Sequence, residues 1–351
     1  FMRKIISVFI VLIYICSNLL SVALALNTDE RSSPWTREKA SHLAHITLFN
    51  ADKNAIDALF AAGSASAALN ILFPNTVWPD RTAFNTAITN YTSSGFNWWD
   101  ANHTTRLYQM MYAWDPYEAK RKLFSLFEDI FPVNRDTDRD ITYKDIYDLH
   151  SLLFNNMLGN YESLVKKVMN NNWAPGDYAE WRFLDLFDQK DPAKPNENFA
   201  RELLQLFLMG EYEPYRSKDN GDIRNYEESD VIALAKILTG LKSDNMTHII
   251  SFDINNHYII APLKFLSGSI SSPPPYYNVA SGTIDPVAIL NPVNGNNWFT
   301  DNVIEYIFTQ KSVLIALFLA DRIARFYMSD KPTRIELDQI AQIIKNNNFD
   351  M

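Results

Sequence analysis

The chain reads as a mainly α, multi-helix, bundle-like domain with a small β-hairpin and a long irregular insertion. Glycine is scarce, at 10 of 351 residues. Apolar residues recur at helical spacing, and the polar connections between those stretches are short, which favours antiparallel neighbouring helices. The element around which the others gather is Pro195 to Gly210. Wound at about 100° per residue, it brings Glu197, Asn198, Arg201, Glu202 and Gln205 into one arc of about 140°. Phe199, Ala200, Leu203, Leu204, Leu206 and Phe207 fill the opposite side. Pro195 and Asn196 suit its first turn, Glu197 complements the positive end of the dipole, and Gly210 supplies a left-handed stop. Leu208 and Met209 intrude into the polar arc, so that end is expected to be covered on more than one side and the stripe to lead into a cleft.

In chain order, Phe1 ahead of Met2 reads as an upstream extension of the frame. Arg3 and Lys4, the apolar run Ile5 to Leu20 and the small residues of Ala23-Leu24-Ala25 form a signal-peptide pattern, with cleavage expected after Ala25. Residues 1–25 are then the signal and 26–351 a single mainly helical domain. An uncleaved membrane anchor is the rival reading, with Ser17, Asn18 and Ser21 interrupting the run. No later segment is read as long and apolar enough to span a bilayer. Cys16, the only cysteine, lies inside the signal, so the mature chain has no thiol for disulfides, catalysis or metal ligation.

Helices are expected over Thr36 to Phe49, Lys53 to Ala62 and Ser66 to Phe73, closed by Pro74 and Pro79. Trp98, Trp99, His103, Tyr108, Tyr112 and Trp114 form an aromatic-rich passage whose flat faces suit sugar rings or ordinary core packing. Further helices are expected over Pro116 to Phe131, Ile141 to Leu158, Tyr161 to Asn170 and Asp177 to Phe187. Residues 211–225 read as an exposed insertion, and Glu228 to Leu241 as a buried partner helix with a wide apolar face. Asn255-Asn256, between two β-rich runs, predicts the hairpin. Ser267 to Asn297, with Pro273-Pro274-Pro275, reads as a long surface excursion. Asn302 to Gln310, Ser312 to Met328 and Arg334 to Lys345 complete the helical set.

Pro195-Asn196-Glu197-Asn198-Phe199-Ala200-Arg201-Glu202-Leu203-Leu204, with Leu206-Phe207 and Gly210, followed by Tyr226-Glu227-Glu228-Ser229-Asp230-Val231 and Ala235-Lys236-Ile237-Leu238-Thr239-Gly240, resembles the bacterial family known as domain of unknown function 1800. Weaker matches, including Leu158-Gly159-Asn160-Tyr161 and Phe252 with His257, Lys264 and Leu266, extend the likeness from about Ser41 to the end. The resemblance implies a mostly helical, exported protein with no settled activity. It also exposes departures. Where relatives read Trp-His-Asn-His-Phe, this chain has Phe127-Glu128-Asp129-Ile130-Phe131, so both histidines are lost. Glu227 stands where relatives have Thr, and Tyr258 follows His257 where relatives have Asp. Relatives continue beyond Asn346-Asn347-Asn348, which implies C-terminal truncation.

The formal net charge is -9, and removing residues 1–25 takes away only Arg3 and Lys4, giving -11. Such an acidic chain is a poor partner for nucleic acid or anionic lipid, and contact with a membrane is expected only through the N-terminal segment if it stays uncleaved. There is no phosphate loop, dinucleotide fingerprint or nucleophile elbow, so no cofactor is expected. No metal is expected either: His42 and His45 share a helix face without the spacing of a zinc motif. The candidate catalytic residues are Glu197, Arg201, Glu202 and His257; Asn198, Asp230, Lys264, Trp98 and Trp99 are candidate ligand contacts. A carboxylate beside a guanidinium can orient an acid or base, and the same i,i+4 pairs can simply staple helices through a desolvated ion pair. The leading expectation is an exported protein binding a cell-envelope or extracellular ligand, a polysaccharide or a protein. A carboxylate hydrolase, with or without a divalent cation, and a structural envelope component are the alternatives.

Overall fold

The computed structural model describes residues 34–74, 118–132, 143–170, 191–214, 224–243, 250–266, 274–291 and 299–351. The signal-like segment, the aromatic passage with Trp98 and Trp99, and the helix expected over Asp177 to Phe187 lie outside them. The chain is mainly helical. It divides into two compact units, one made of residues 1–129, 150–161 and 319–351, the other of 130–149 and 162–318.

In the first unit, α1 (Arg37–Thr47), α2 (Lys53–Ala61) and α3 (Ala65–Leu72) each start directly after a polar cap. Thr36, Asp52 and Ser64 hold extended backbone and accept from the N–H three residues on, at 3.3, 2.7 and 3.1 Å. That satisfies donors a helix start leaves open. Ala40, Leu43, Ala44, Ile56, Leu59, Leu69 and Leu72 close a core that Ala119, from α4 (Glu118–Ile130), joins. Lys122 Nζ of α4 donates to Ile46 O at 2.6 Å at the C-terminal end of α1, and burial lowers its pKa. After α5 (Tyr143–Asn156), Gly159 turns the chain into α6 (Tyr161–Asn170). Tyr161 N–H donates to Phe349 O at 2.8 Å, Met351 N–H to Gly159 O at 3.1 Å and Asn160 Nδ2 to Asn348 O at 2.6 Å. A chain separation of 188 residues is closed there.

In the second unit the central helix differs from its sequence pattern. It is a short α-helix, α7 (Asn198–Glu202), that passes directly into a π-helix, Leu203–Leu208. Gly210 then takes φ +71°, as its stop role requires. Next come α8 (Glu228–Ile237), β1 (Leu241–Ser243), β2 (Ile250–Phe252), β3 (Leu263–Lys264), β4 (Tyr277–Asn278) and β5 (Thr283–Ile284). α9 (Phe299–Tyr327) and α10 (Arg334–Asn346) close the chain, and the residues of α9 after Phe318 belong with α10 to the first unit.

Several expectations are corrected. The hairpin does not turn at Asn255-Asn256: β1 pairs antiparallel with β2, and Ile254–Asn256 is a 3-10 turn, with Asp253 accepting from Asn255 N–H at 3.0 Å. An Asx cap there outcompetes continued strand. The stretch expected as a surface excursion builds a sheet of order β3-β5-β4 and sends Tyr276, Ile284 and Ile289 into the core. Tyr276 donates to Asn302 O at 3.0 Å, and Asn302 Nδ2 to Ile289 O at 2.7 Å and Asn291 O at 2.8 Å, so the excursion is fastened to α9. The insertion after Gly210 is pinned where it returns, by a Tyr212–Arg224 bridge and by buried Asn225. α9 also overturns the reading that no later segment reaches spanning length: Thr300–Tyr327 passes by length and composition, though most of it is buried inside the protein. Its backbone breaks at Lys311 (φ -122°, ψ 21°), between the two helices the sequence predicts.

Candidate functional site

α7 presents its polar stripe to the start of α8. Arg201 Nη1 donates to Glu228 Oε2 at 2.8 Å, and Nη2 donates to Glu228 Oε1 and, at 3.4 Å, to Glu197 Oε2. This is the bidentate geometry that suits a guanidinium to a carboxylate. Hydrogen bonding to Arg201 holds Glu228 below its ordinary pKa, and Glu228 in turn raises that of Arg201. The expectation of a desolvated pair is corrected: the Arg201 and Glu228 side chains are 35% and 52% exposed. The network ties α7 to α8 at the surface.

Glu202, the next residue, differs. It has no hydrogen bond or ion pair among the described residues, and burial pushes its carboxyl above the usual value against the pull of Arg201. Tyr226, just before α8, is only 4% exposed. Burial, and after it the charge of Glu211, pushes its hydroxyl up to about 12, and Arg201, Glu202 and Glu228 also act on it. The side chain is buried, and its hydroxyl feels these charges without a hydrogen-bond partner among the described residues. Arg224 pairs with Glu211 at 3.4 Å. Asn225 holds this corner in place: its Nδ2 donates to Met209 O at 2.8 Å and Gly210 O at 3.2 Å, and its own carbonyl accepts from Lys311 Nζ at 2.9 Å.

The remaining candidates separate from this group. Asn198 opens α7, its N–H donating to Asn196 Oδ1 at 2.9 Å. Asp230 is a structural carboxylate, accepting from Glu227 N–H at 2.8 Å and Leu266 N–H at 2.7 Å. Lys264 is exposed on β3. His257 is 3% exposed, with Nδ1 2.8 Å from Thr239 O and Nε2 2.8 Å from Pro286 O. Both ring nitrogens face main-chain acceptors, which fits a clamp between segments better than a proton shuttle. Trp98 and Trp99 lie outside the described residues. Glu128, standing where the resembled family has histidine, meets buried His150 at 3.4 Å. His45 Nδ1 is 2.7 Å from Ser41 O within α1. Among the described residues no three of His, Cys, Asp and Glu gather to hold a metal.

The stripe thus contributes Glu197, Arg201 and Glu202 to one surface, and the fold adds Glu211, Arg224, Tyr226 and Glu228, which sequence reasoning did not place there. The sole signal for the last two was their adjacency in the Tyr226-Glu227-Glu228 block. A family model described as "Protein of unknown function (DUF1800)" matches residues 41–351. No curated protein and no solved structure matches the chain.

Proposed function

The chain belongs to the DUF1800 family of proteins of unknown function, and we propose that it is an exported protein that binds a cell-envelope or extracellular glycan on the surface formed by α7 and the start of α8. The observation that carries this reading is that the Glu202 carboxyl and the Tyr226 phenol, which act on each other electrostatically, have no hydrogen bond among the described residues, while Arg201 is already held by two carboxylates. Polyhydroxylated ligands are recognised by such acceptors and donors. The surplus of carboxylates disfavours an anionic ligand.

Hydrolysis is the second reading, favoured by one observation: Glu202 is pushed up while Glu228 is held down, the divergence that assigns acid and base roles in carboxylate pairs. It ranks lower because Glu228 is down for being gripped by Arg201 through both oxygens, which leaves it poorly placed as a base or nucleophile.

The test is thermal unfolding of the full chain with oligosaccharides of glucose, N-acetylglucosamine and glucosamine, in parallel with Glu202→Gln and Tyr226→Phe. A ligand of the native state raises the midpoint by mass action. A shift in the parent that both variants lose is the expected result; no shift with any of the three series would sink the reading. Reducing-end release during incubation would promote the hydrolase instead.

A further inference from the structure

We infer that His257 carries a proton on both ring nitrogens, and that this buried imidazolium is a pH-sensitive pin joining the end of α8 to the turn at Pro286. The proton count comes from its partners. Nε2 lies 2.8 Å from Pro286 O, which can only accept. Nδ1 lies 2.8 Å from Thr239 O and 3.4 Å from Thr239 Oγ1. That hydroxyl has already given its proton to Lys236 O at 2.7 Å, and it accepts the Tyr258 N–H at 2.8 Å. None of these oxygens has a proton to offer the ring. A neutral imidazole would turn one lone pair against a carbonyl, whereas the doubly protonated ring satisfies both sides.

The surroundings suit a positive charge. Thr239 lies just past the C-terminal end of α8, where the helix dipole favours a cation. The charged side chains on the described segments packed around the ring are Lys236, Asp253 and Asp285, two acids to one base, with Tyr258 as a further titratable neighbour. Asp253 accepts from Asn255 N–H at 3.0 Å and Asn256 Nδ2 at 2.8 Å, and Asp285 from Val287 N–H at 2.8 Å and Ala288 N–H at 3.1 Å. Lys236 Nζ stands 5.0 Å over the Tyr258 ring, and the Phe252 ring meets His257 edge-on at 5.3 Å. Opposing all of this is the cost of a charge at 3% exposure. The second proton therefore leaves within the range where histidine changes charge. Nε2 gives it up, because Nδ1 faces two oxygens of Thr239 and Nε2 only one. The pin to Pro286 then opens and releases residues 254–260, among them the exposed Ile254, Ile259 and Ile260. Bonds that favour the charged ring in the folded chain add stability at acid pH, and that stability is lost as pH rises.

The experiment is a pH titration of the full chain, followed by nitrogen NMR of the histidine rings and by urea unfolding, with His257→Gln and His45→Gln in parallel. His45 is an exposed histidine of α1 in the other unit. Both ring nitrogens of His257 are expected to carry protons at about pH 5, and Nε2 to have lost its proton by about pH 8. Over that range the folding equilibrium constant of the parent is expected to fall about tenfold relative to His257→Gln, the size of one hydrogen bond to a charged group. His45→Gln is expected to keep the parent profile. A ring holding one proton at the acid end, or both at the alkaline end, overturns the proposal. So do parallel unfolding profiles for the parent and His257→Gln, or a pH dependence that His45→Gln abolishes as fully. If His257→Gln does not fold, the ring-nitrogen titration of the parent decides alone.

Discussion

Asp230 accepts the backbone N–H of Leu266 at 2.7 Å, and this one bond holds a leucine at φ 43°. The left-handed region is uncomfortable for a residue with a branched side chain, so the contact must stabilise a conformation the chain would otherwise avoid. The same carboxylate caps α8 through Glu227 N–H. Asp230→Ala is expected to destabilise the protein by about 1–3 kcal/mol, a lost cap plus a lost half-buried bond. Urea unfolding would measure it, and an unchanged midpoint would show that neither bond matters.

Gly240 holds φ +88°, and a Cβ placed there would lie 2.8 Å from Asp253 O, 2.8 Å from Phe252 Cε2 and 3.1 Å from His257 Cβ. The turn between α8 and β1 is closed so tightly that only a bare Cα fits. Gly240→Ala should cost on the order of 3 kcal/mol, strain and overpacking together. Far-UV circular dichroism with temperature reads this out. A loss under about 0.5 kcal/mol would mean the β1–β2 corner yields readily.

For Arg201, exposure decides the magnitude. Neither partner of the bidentate pair is buried, and solvent-screened pairs of this kind contribute about 0–1 kcal/mol. Arg201→Met is therefore expected to lower stability by less than about 1 kcal/mol and to do so less at high salt. A loss of several kcal/mol in chemical denaturation, insensitive to salt, would restore the buried staple that sequence reasoning had foreseen.

Glu202 has a pKa raised by folding, so its charged form is less comfortable in the native state than in the unfolded chain. Its contribution to stability is fully present below its unfolded pKa and is lost as pH rises through the higher native value. Glu202→Gln removes that penalty and should stabilise the protein at neutral pH, with the gain shrinking as pH falls through the carboxylate range. The check is a pair of melting profiles against pH. A variant less stable than the parent at neutral pH would assign Glu202 to the structural network.

Much of the fold could be read from local chemistry. The helix starts expected at Thr36, Lys53, Ser66 and Arg334 fall within a residue of those observed, and Gly210 supplies the expected stop. Leu208 and Met209 looked misplaced on an α-helical wheel, yet both are buried. The wider π turn advances less per residue and carries them round to the apolar side, so their intrusion was the trace of that turn. The site was half legible: its α7 stripe is periodic, whereas Glu228 reaches Arg201 across 27 residues through the packing of two helices, which no local pattern encodes. The place of His257 between two carbonyls was not legible, because a buried histidine of that kind and a histidine in a cleft have the same sequence.

The seam between Gly159–Tyr161 and residues 348–351 also sets a timetable. At about 5–20 residues per second, synthesis separates its two edges by about 10 to 40 seconds. During that interval the whole of residues 162–318 has been made, while the first unit still lacks the strand of chain that closes it. The second unit has its residues in hand first. The first unit can finish only late, after the residues of the second have all been made.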